Sequence, residues 1–314
     1  MVIAYLIEGW NSADWAAEMR ALDPTIDVRV WPDCGNVEEI DYALVWKPKP
    51  GELRKFPRLK AIFSLGAGVD HVLSDPELPR DVPLVRVVDP DLTMRMTEYV
   101  VLHVLWHHRR QRVYDQFQKE KVWRNLPQPP ASDVRVGIMG LGVLGTDAAT
   151  KLRDLGFRVA GWSQTRKTVD GIESFAGEAE LEAFLNRTDI LVCLLPLTPQ
   201  TRGILDRRLF SRLARDGAGD GPVLINAGRG GLQVERDIID ALDSGDLHAA
   251  TLDVFESEPL PPSSPLWTHP RVTVTPHNAA DSDARSLSRY VLGQMRRHQA
   301  GKPLENVVDL TRHY

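Results

Sequence analysis

The sequence predicts an α/β protein made of two doubly wound parallel-sheet domains with a cleft between them. Three observations carry this reading. Short apolar segments alternate with amphipathic helical segments along the chain, the pattern of strand–helix–strand crossovers. A glycine-rich turn, Gly140-Leu141-Gly142-Val143-Leu144-Gly145, stands between an apolar strand and a helical pattern. The 314 residues are enough for two domains of ordinary size.

In the first hundred residues, apolar runs predict strands near Val2–Ile7, Val28–Trp31, Ala43–Trp46, Ala61–Ser64 and Leu84–Val87, with an amphipathic helix at Ser12–Leu22. The apolar N-terminal run lacks a basic stretch and a small-residue cleavage site, so it reads as a first strand and not a signal peptide. A helix is expected from about Met94 to Arg112. Its apolar positions Tyr99, Val100, Leu102, Val104 and Leu105 call for burial. The turn-rich Asn125–Pro130 segment leads into a second unit. There a strand from Val134 enters the glycine turn, and Leu144, Ala148, Leu152 and Leu155 mark one face of a helix. Further strands are read at Phe157–Trp162, Ile190–Leu195, Val223–Asn226, Ala249–Leu252 and Val272–Thr275, and a last helix at about Asp283–His298.

Composition narrows the function classes. Forty-three per cent hydrophobic residues supply real cores. A net charge of −5 gives no footprint for nucleic acid or an anionic membrane surface, and no apolar run is long enough to span a bilayer. Two cysteines, Cys34 and Cys193, make no disulfide framework and no metal cluster. Cys193, in Ile190-Leu191-Val192-Cys193, reads as a small core residue, and a reducing cytoplasm is the natural compartment. The run Trp106-His107-His108-Arg109-Arg110 reads as a solvated helix end, and no metal site is expected.

The glycine turn has the G-x-G-x-x-G spacing of a dinucleotide site in a Rossmann unit. The first glycine allows the tight turn, the second a close approach of pyrophosphate, the third close helix–strand packing. The helix start adds free N–H groups and a positive dipole end. An NAD site usually carries Asp or Glu some 20 residues further on, against the ribose 2′-hydroxyl. Here Ser163-Gln164-Thr165-Arg166-Lys167 stands instead. It brings no carboxylate to repel a phosphate, and a hydroxyl, a guanidinium and an ammonium to bind one. The expected cofactor is NADP(H), with NAD(H) as the other admissible one. The alternative reading of this stretch is a solvated basic loop.

Three polar residues each follow a predicted strand: Arg229 in Asn226-Ala227-Gly228-Arg229-Gly230-Gly231, Glu258 in Asp253-Val254-Phe255-Glu256-Ser257-Glu258-Pro259, and His277 in Thr275-Pro276-His277-Asn278. Ligands of open α/β sheets bind outside the carboxyl ends of the strands. Arg229, Glu258 and His277 are therefore expected on one rim.

These motifs, with Leu65-Gly66-Ala67-Gly68-Val69-Asp70, resemble the D-isomer-specific 2-hydroxyacid dehydrogenases, and the resemblance covers nearly the whole chain. It is strongest toward the glyoxylate/hydroxypyruvate reductase A branch, through Leu44-Val45-Trp46, Trp162–Lys167, Glu173–Gly177 and Ser264-Pro265-Leu266-Trp267. The resemblance implies a discontinuous flavodoxin-like substrate domain of residues 1–99 with 281–314, and a Rossmann domain of residues 100–280. It implies Arg229, Glu258 and His277 as catalytic residues. Cofactor contacts fall on Gly140–Gly145, Ser163–Lys167, Leu195, Pro196, Leu197, Thr201, Ala227, Gly228, Arg229, Asp253, His277 and Ala279. Substrate contacts fall on Trp46, Ala67, Gly68, Val69, Arg229 and His277.

The chemistry explains the residue types. A guanidinium fork grips the carboxylate of a small 2-oxo acid. An imidazolium donates a proton as the carbonyl is reduced, and the glutamate fixes its tautomer. The function expected is NADPH-dependent reduction of glyoxylate or hydroxypyruvate to a D-2-hydroxy acid by a homodimer. The alternatives are an NAD-dependent dehydrogenase of another 2-hydroxy acid and a non-enzymatic, corepressor-like dinucleotide sensor. A formate dehydrogenase is disfavoured, since those relatives carry glutamine where Glu258 stands.

Overall fold

The computed structural model describes residues 1–312. His313 and Tyr314, the last residues assigned above to the substrate domain, lie outside the described residues. The chain divides into two compact units, Met1–Leu92 with the segment from Asp281 onward, and Thr93–Ala280.

In the first unit, β1 (Val2–Ile7), β2 (Asp27–Val30), β3 (Tyr42–Trp46), β4 (Ala61–Ser64) and β5 (Leu84–Val85) form one parallel sheet in the order β2-β1-β3-β4-β5. That 2-1-3-4-5 order is the flavodoxin-like winding. Because successive strand residues face opposite ways, Ile3, Tyr5 and Leu44 join Trp15, Ala16 and Met19 of α1 (Ser12–Leu22) in one core. Ala4, Leu6, Ala43 and Val45 join Ile40, Leu53, Phe56 and Val72 in the other. α1 starts where Asn11 accepts the Ala13 N–H at 3.1 Å, the expected service of an N-cap side chain. The one-turn α2 (Asp70–Leu73) follows β4.

The helix expected at Met94–Arg112 is two helices, α3 (Pro90–His108) and α4 (Gln111–Glu120). Arg110 breaks the run by adopting φ 53°. Its guanidinium donates to the Pro127 carbonyl and to Asp220 Oδ1, both at 2.7 Å. These partners are distant in sequence, and no local pattern announces them. Val100 and Val104 of α3 are fully buried, whereas Leu102, expected inside, is exposed. The helix end is not a solvated one either. His107 Nε2 lies 2.9 Å from Thr251 Oγ1, and burial holds this imidazole down to about 3.

The second unit's sheet contains β6 (Arg135–Met139), β7 (Arg158–Ser163), β8 (Glu173–Ala176), β9 (Ile190–Cys193), β10 (Val223–Asn226), β11 (Ala249–Leu252) and β12 (Val272–Val274). Its order is β12-β11-β10-β9-β6-β7-β8, all parallel. Counted within the unit this is 3-2-1-4-5-6-7, the dinucleotide-binding winding with one added strand, and its direction reverses between β6 and β9. β8 escaped the sequence reading because it is a short edge strand that is at most half-buried. α5 (Val143–Asp154) and α3 cover one face of the sheet, with Val100, Val104, Ala148 and Leu152 packing on Val136, Ile138, Val192 and Ile225. α6 (Gly177–Asn186), the one-turn α7 (Arg207–Phe210) and α8 (Glu235–Ser244) supply Phe184, Phe210 and Leu242 to the other face. Leu155, expected on the buried face of α5, lies past the helix end and is exposed.

The chain then returns to the first unit as α9 (Ala284–Gln299), capped by Asp283, which accepts the Ser286 N–H at 2.7 Å. Leu287, Val291 and Met295 are fully buried in the core that α1 shares with β1. Burial of side chains of this size is worth about 1.5–3 kcal/mol each. Among the described residues no helix is long and apolar enough to cross a membrane. Cys34 and Cys193 are both buried free thiols.

Candidate active site

The second unit's candidate residues sit on loops that leave the carboxyl ends of its strands. β6 ends at Met139, and Gly140 turns the chain with φ +107°. A Cβ there would stand 2.8 Å from the Leu194 carbonyl oxygen, and one at Gly145 would stand 1.9 Å from the Gly140 oxygen. The turn and the first coil of α5 therefore close only around glycine. At Gly142 a Cβ would meet nothing within 4 Å. This open space lies at the start of α5, which has no side-chain cap, so its first N–H groups are left for an anion to approach. The chemistry of this cradle fits a dinucleotide pyrophosphate. Leu141 is buried and Leu144 half-buried, while Val143 is exposed.

β7 ends at Ser163, whose hydroxyl donates to Thr165 O at 3.2 Å. Gln164, Thr165, Arg166 and Lys167 follow and are all exposed. The absence of a carboxylate read from the local sequence is corrected by the fold. Glu180 of α6 is ion-paired with Arg166, which also donates to Ser174 O. Glu180 is itself pinned by the Ala176 N–H at 2.7 Å. Arg166 is thus held in place at the end of β7 by an acid of α6.

After β9, Thr201 Oγ1 donates to the Pro196 carbonyl at 2.7 Å and accepts the Thr198 N–H at 2.8 Å, closing the Leu195–Thr201 turn. The side chain of Leu195 belongs to the core, which leaves its backbone for any ligand.

After β10, a buried amide network shapes the arginine loop. Asn226 is fully buried. Its Nδ2 donates to Gln233 Oε1 at 2.8 Å and to the Arg229 carbonyl at 3.2 Å, and its Oδ1 accepts the Gly228 N–H at 3.1 Å. Gln233 Nε2 donates in turn to Val254 O at 2.9 Å. The loop lies directly against the backbone beyond β11, because a Cβ on Gly230 would come 1.9 Å from the Phe255 carbonyl carbon. The Arg229 Nη1 donates to Gly228 O at 2.9 Å. Ala227 is buried beside this loop. Gln233 was not singled out in the sequence; it joins Asn226 on its own loop to Val254 on the next one.

Beyond β11, Glu258 Oε1 accepts the Phe255 N–H at 3.1 Å, and Oε2 lies 2.8 Å from His277 Nδ1. One carboxylate oxygen orders its own loop and the other meets the imidazole. With Glu258 ionised, Nδ1 carries the hydrogen and Nε2 is left as the proton-exchanging nitrogen. Half-burial of both side chains strengthens the pair over an exposed one. His277 has φ +53°, a left-handed conformation that strains a non-glycine residue. Asp253, 1% exposed, holds the loop in it. Its carbonyl accepts the His277 N–H at 2.8 Å, Oδ1 accepts Asn278 N–H at 3.0 Å, and Oδ2 accepts Ala279 N–H at 3.0 Å.

In the first unit, Trp46 at the end of β3 stacks on Trp10 with ring centroids 4.6 Å apart and meets His71 edge-on at 4.7 Å. A Cβ on Gly66 would stand 2.3 Å from the Trp46 ring. Ser64 Oγ lies 3.1 Å from both Gly66 O and Gly68 O. The Ala67-Gly68-Val69 turn is thereby folded around a buried hydroxyl ahead of α2.

Residues 101–279 match the family described as D-isomer specific 2-hydroxyacid dehydrogenase, NAD binding domain. A glyoxylate/hydroxypyruvate reductase A from Escherichia fergusonii is 43% identical over 319 aligned residues, covering all of both chains. One from Yersinia enterocolitica is 41% identical, over 97% of each chain. Among solved structures, the NADPH-dependent glyoxylate/hydroxypyruvate reductase from Sinorhizobium meliloti in complex with NADP and sulfate is 50% identical. It superposes with a TM-score of 0.94 over 100% of this chain and 99% of that one. With the fold, the glycine cradle and the strand-end loops already in place, these matches establish that the chain belongs to the D-isomer specific 2-hydroxyacid dehydrogenase family.

Proposed function

We propose that the protein reduces small 2-oxo acids, glyoxylate and hydroxypyruvate foremost, to D-2-hydroxy acids with NADPH. The observation that carries this reading is the 2.8 Å contact between His277 Nδ1 and Glu258 Oε2, on a loop beside the one that bears Arg229. Similarity over the full chain to reductases named for those two substrates supports it, as do related structures solved with NADP.

Arg229 presents a planar fork to the carboxylate and ketone oxygens and so fixes which face of the carbonyl is attacked. When bound, the nicotinamide supplies the hydride. As negative charge builds on the carbonyl oxygen, imidazolium His277 stabilises it and delivers the Nε2 proton. Glu258 keeps the Nδ1 hydrogen in place and offsets the imidazolium charge. The first N–H groups of α5 receive the pyrophosphate, and Ser163, Arg166 and Lys167 the 2′-phosphate. Asp253 and Ala279 border the nicotinamide. In the first unit, Trp46 and the backbone N–H groups of Ala67, Gly68 and Val69 are proposed substrate contacts.

The ion pair between Glu180 and Arg166 favours a second reading, an enzyme that uses NADH as well. We place the protein in the cytoplasm as a homodimer. Its contacts are proposed on Met94 and Leu102 of α3 and on Val122 and Trp123 beyond α4, all exposed apolar side chains.

The test is the product. Incubation with NADPH and hydroxypyruvate, followed by chiral separation, is expected to give D-glycerate. L-glycerate, or NADPH binding without product, contradicts the reading.

A further inference from the structure

The loop that carries His277 is tied to α3 by a directional chain of hydrogen bonds. Thr275 Oγ1 lies 2.7 Å from Asp253 Oδ1 and 2.8 Å from Tyr99 Oη. A carboxylate only accepts, so Thr275 must spend its one hydroxyl proton on Asp253. The Tyr99 hydroxyl is therefore the donor to Thr275. Burial raises the Tyr99 phenol well above its usual range, so it keeps the proton that this direction requires. Tyr99 is 8% exposed, and its ring packs on His103 at 4.3 Å between centroids. The far end of the chain is Asp253, whose carboxylate also accepts the N–H groups of Asn278 and Ala279, whose carbonyl accepts that of His277, and whose own N–H donates to Asn226 O at 3.0 Å.

We propose that Tyr99 is a positioning residue for His277. Its hydroxyl orients Thr275, Thr275 orients the Asp253 carboxylate, and Asp253 holds the Thr275–Ala279 loop where His277 Nδ1 meets Glu258. The left-handed backbone at His277 makes the loop dependent on such support, since a strained residue keeps its conformation only while its surroundings over-determine it. Tyr99 touches neither His277 nor Glu258 among the contacts described, so its influence passes through the loop. The proposal rests on His277 being the proton donor.

The test is a double-mutant cycle on the full-length enzyme. Tyr99→Phe keeps the ring on His103 and removes the donor; Thr275→Val removes the relay; Thr275→Ser retains it. Each of the first two is expected to lower kcat for glyoxylate reduction by about tenfold or more, with KM for NADPH within about twofold of wild type, because a small misplacement of a catalytic group acts on the chemical step. The double variant is expected to be no slower than Thr275→Val alone, the signature of residues acting in one chain. Thr275→Ser is expected to restore kcat. The parallel readout is the His277 Nδ1 proton in [15N]histidine-labelled protein. Its hydrogen-bonded resonance is expected in wild type and Thr275→Ser and lost or displaced in Tyr99→Phe. Additive losses in kcat, or an unchanged imidazole resonance in Tyr99→Phe, overturn the proposal. If the resonance responds as expected while His277→Ala reduces glyoxylate at the wild-type rate, the positioning chain stands and the assignment of the proton donor fails.

Discussion

Replacing His277 by alanine is expected to lower kcat/KM for glyoxylate reduction by at least about 10³-fold, from loss of the proton donor and of the positive charge beside the developing oxyanion. The binding of NADPH, read by quenching of tryptophan fluorescence, is expected to weaken no more than a few-fold, because His277 is one of many expected cofactor contacts and the glycine cradle at Gly140–Gly145 belongs to another loop. Reduction takes up one proton with the hydride, so the equilibrium between oxo acid and hydroxy acid moves toward the oxo acid as pH rises. A loss smaller than about tenfold, with the wild-type pH profile kept, removes His277 from the proton-transfer step.

Arg229→Ala is expected to cost about 10³-fold in kcat/KM, divided between a higher KM for the oxo acid and a lower kcat. Arg229→Lys is expected to recover little of it, since an ammonium restores the charge but not the planar fork that sets the carbonyl face. The Asn226–Gln233 network binds the loop backbone around Arg229, while the guanidinium itself donates to the Gly228 carbonyl, so the melting temperature of the truncated variant is measured alongside to separate a loss of chemistry from a loss of folding. An unchanged KM for glyoxylate would show that another group receives the carboxylate.

What could be read from the sequence follows from which interactions are local. The strands of the second sheet are apolar on both faces, so Ile190–Cys193, Val223–Asn226 and Ala249–Leu252 announce themselves as continuous runs. The glycine spacing is legible because each glycine answers a constraint within its own turn: a positive φ at Gly140, and an approach at Gly145 that leaves no room for a Cβ. What escaped depends on partners far along the chain. Arg110 breaks the long helix for the sake of Asp220, 110 residues away. Glu180 is displayed by a helix after an edge strand whose pattern is too weak to read, so the acid beside Arg166 appears only on folding. Tyr99 meets Thr275 across 176 residues, and the apolar periodicity of α3 marks its ring as core without showing where its hydroxyl goes. His107 deceived the reading for the same reason, since a run of polar residues at a helix end looks solvated until β11 is laid beside it.

In the reading proposed above, these loops form a reductase whose Ser163–Lys167 segment selects the phosphorylated cofactor. The most direct measurement is steady-state reduction of glyoxylate with NADPH and with NADH under matched conditions. The expected result is turnover with both values measurable and kcat/KM larger with NADPH. A ratio below one would show that Glu180, and not the 2′-phosphate, commands Arg166; binding of NADPH with no turnover would contradict the reductase itself.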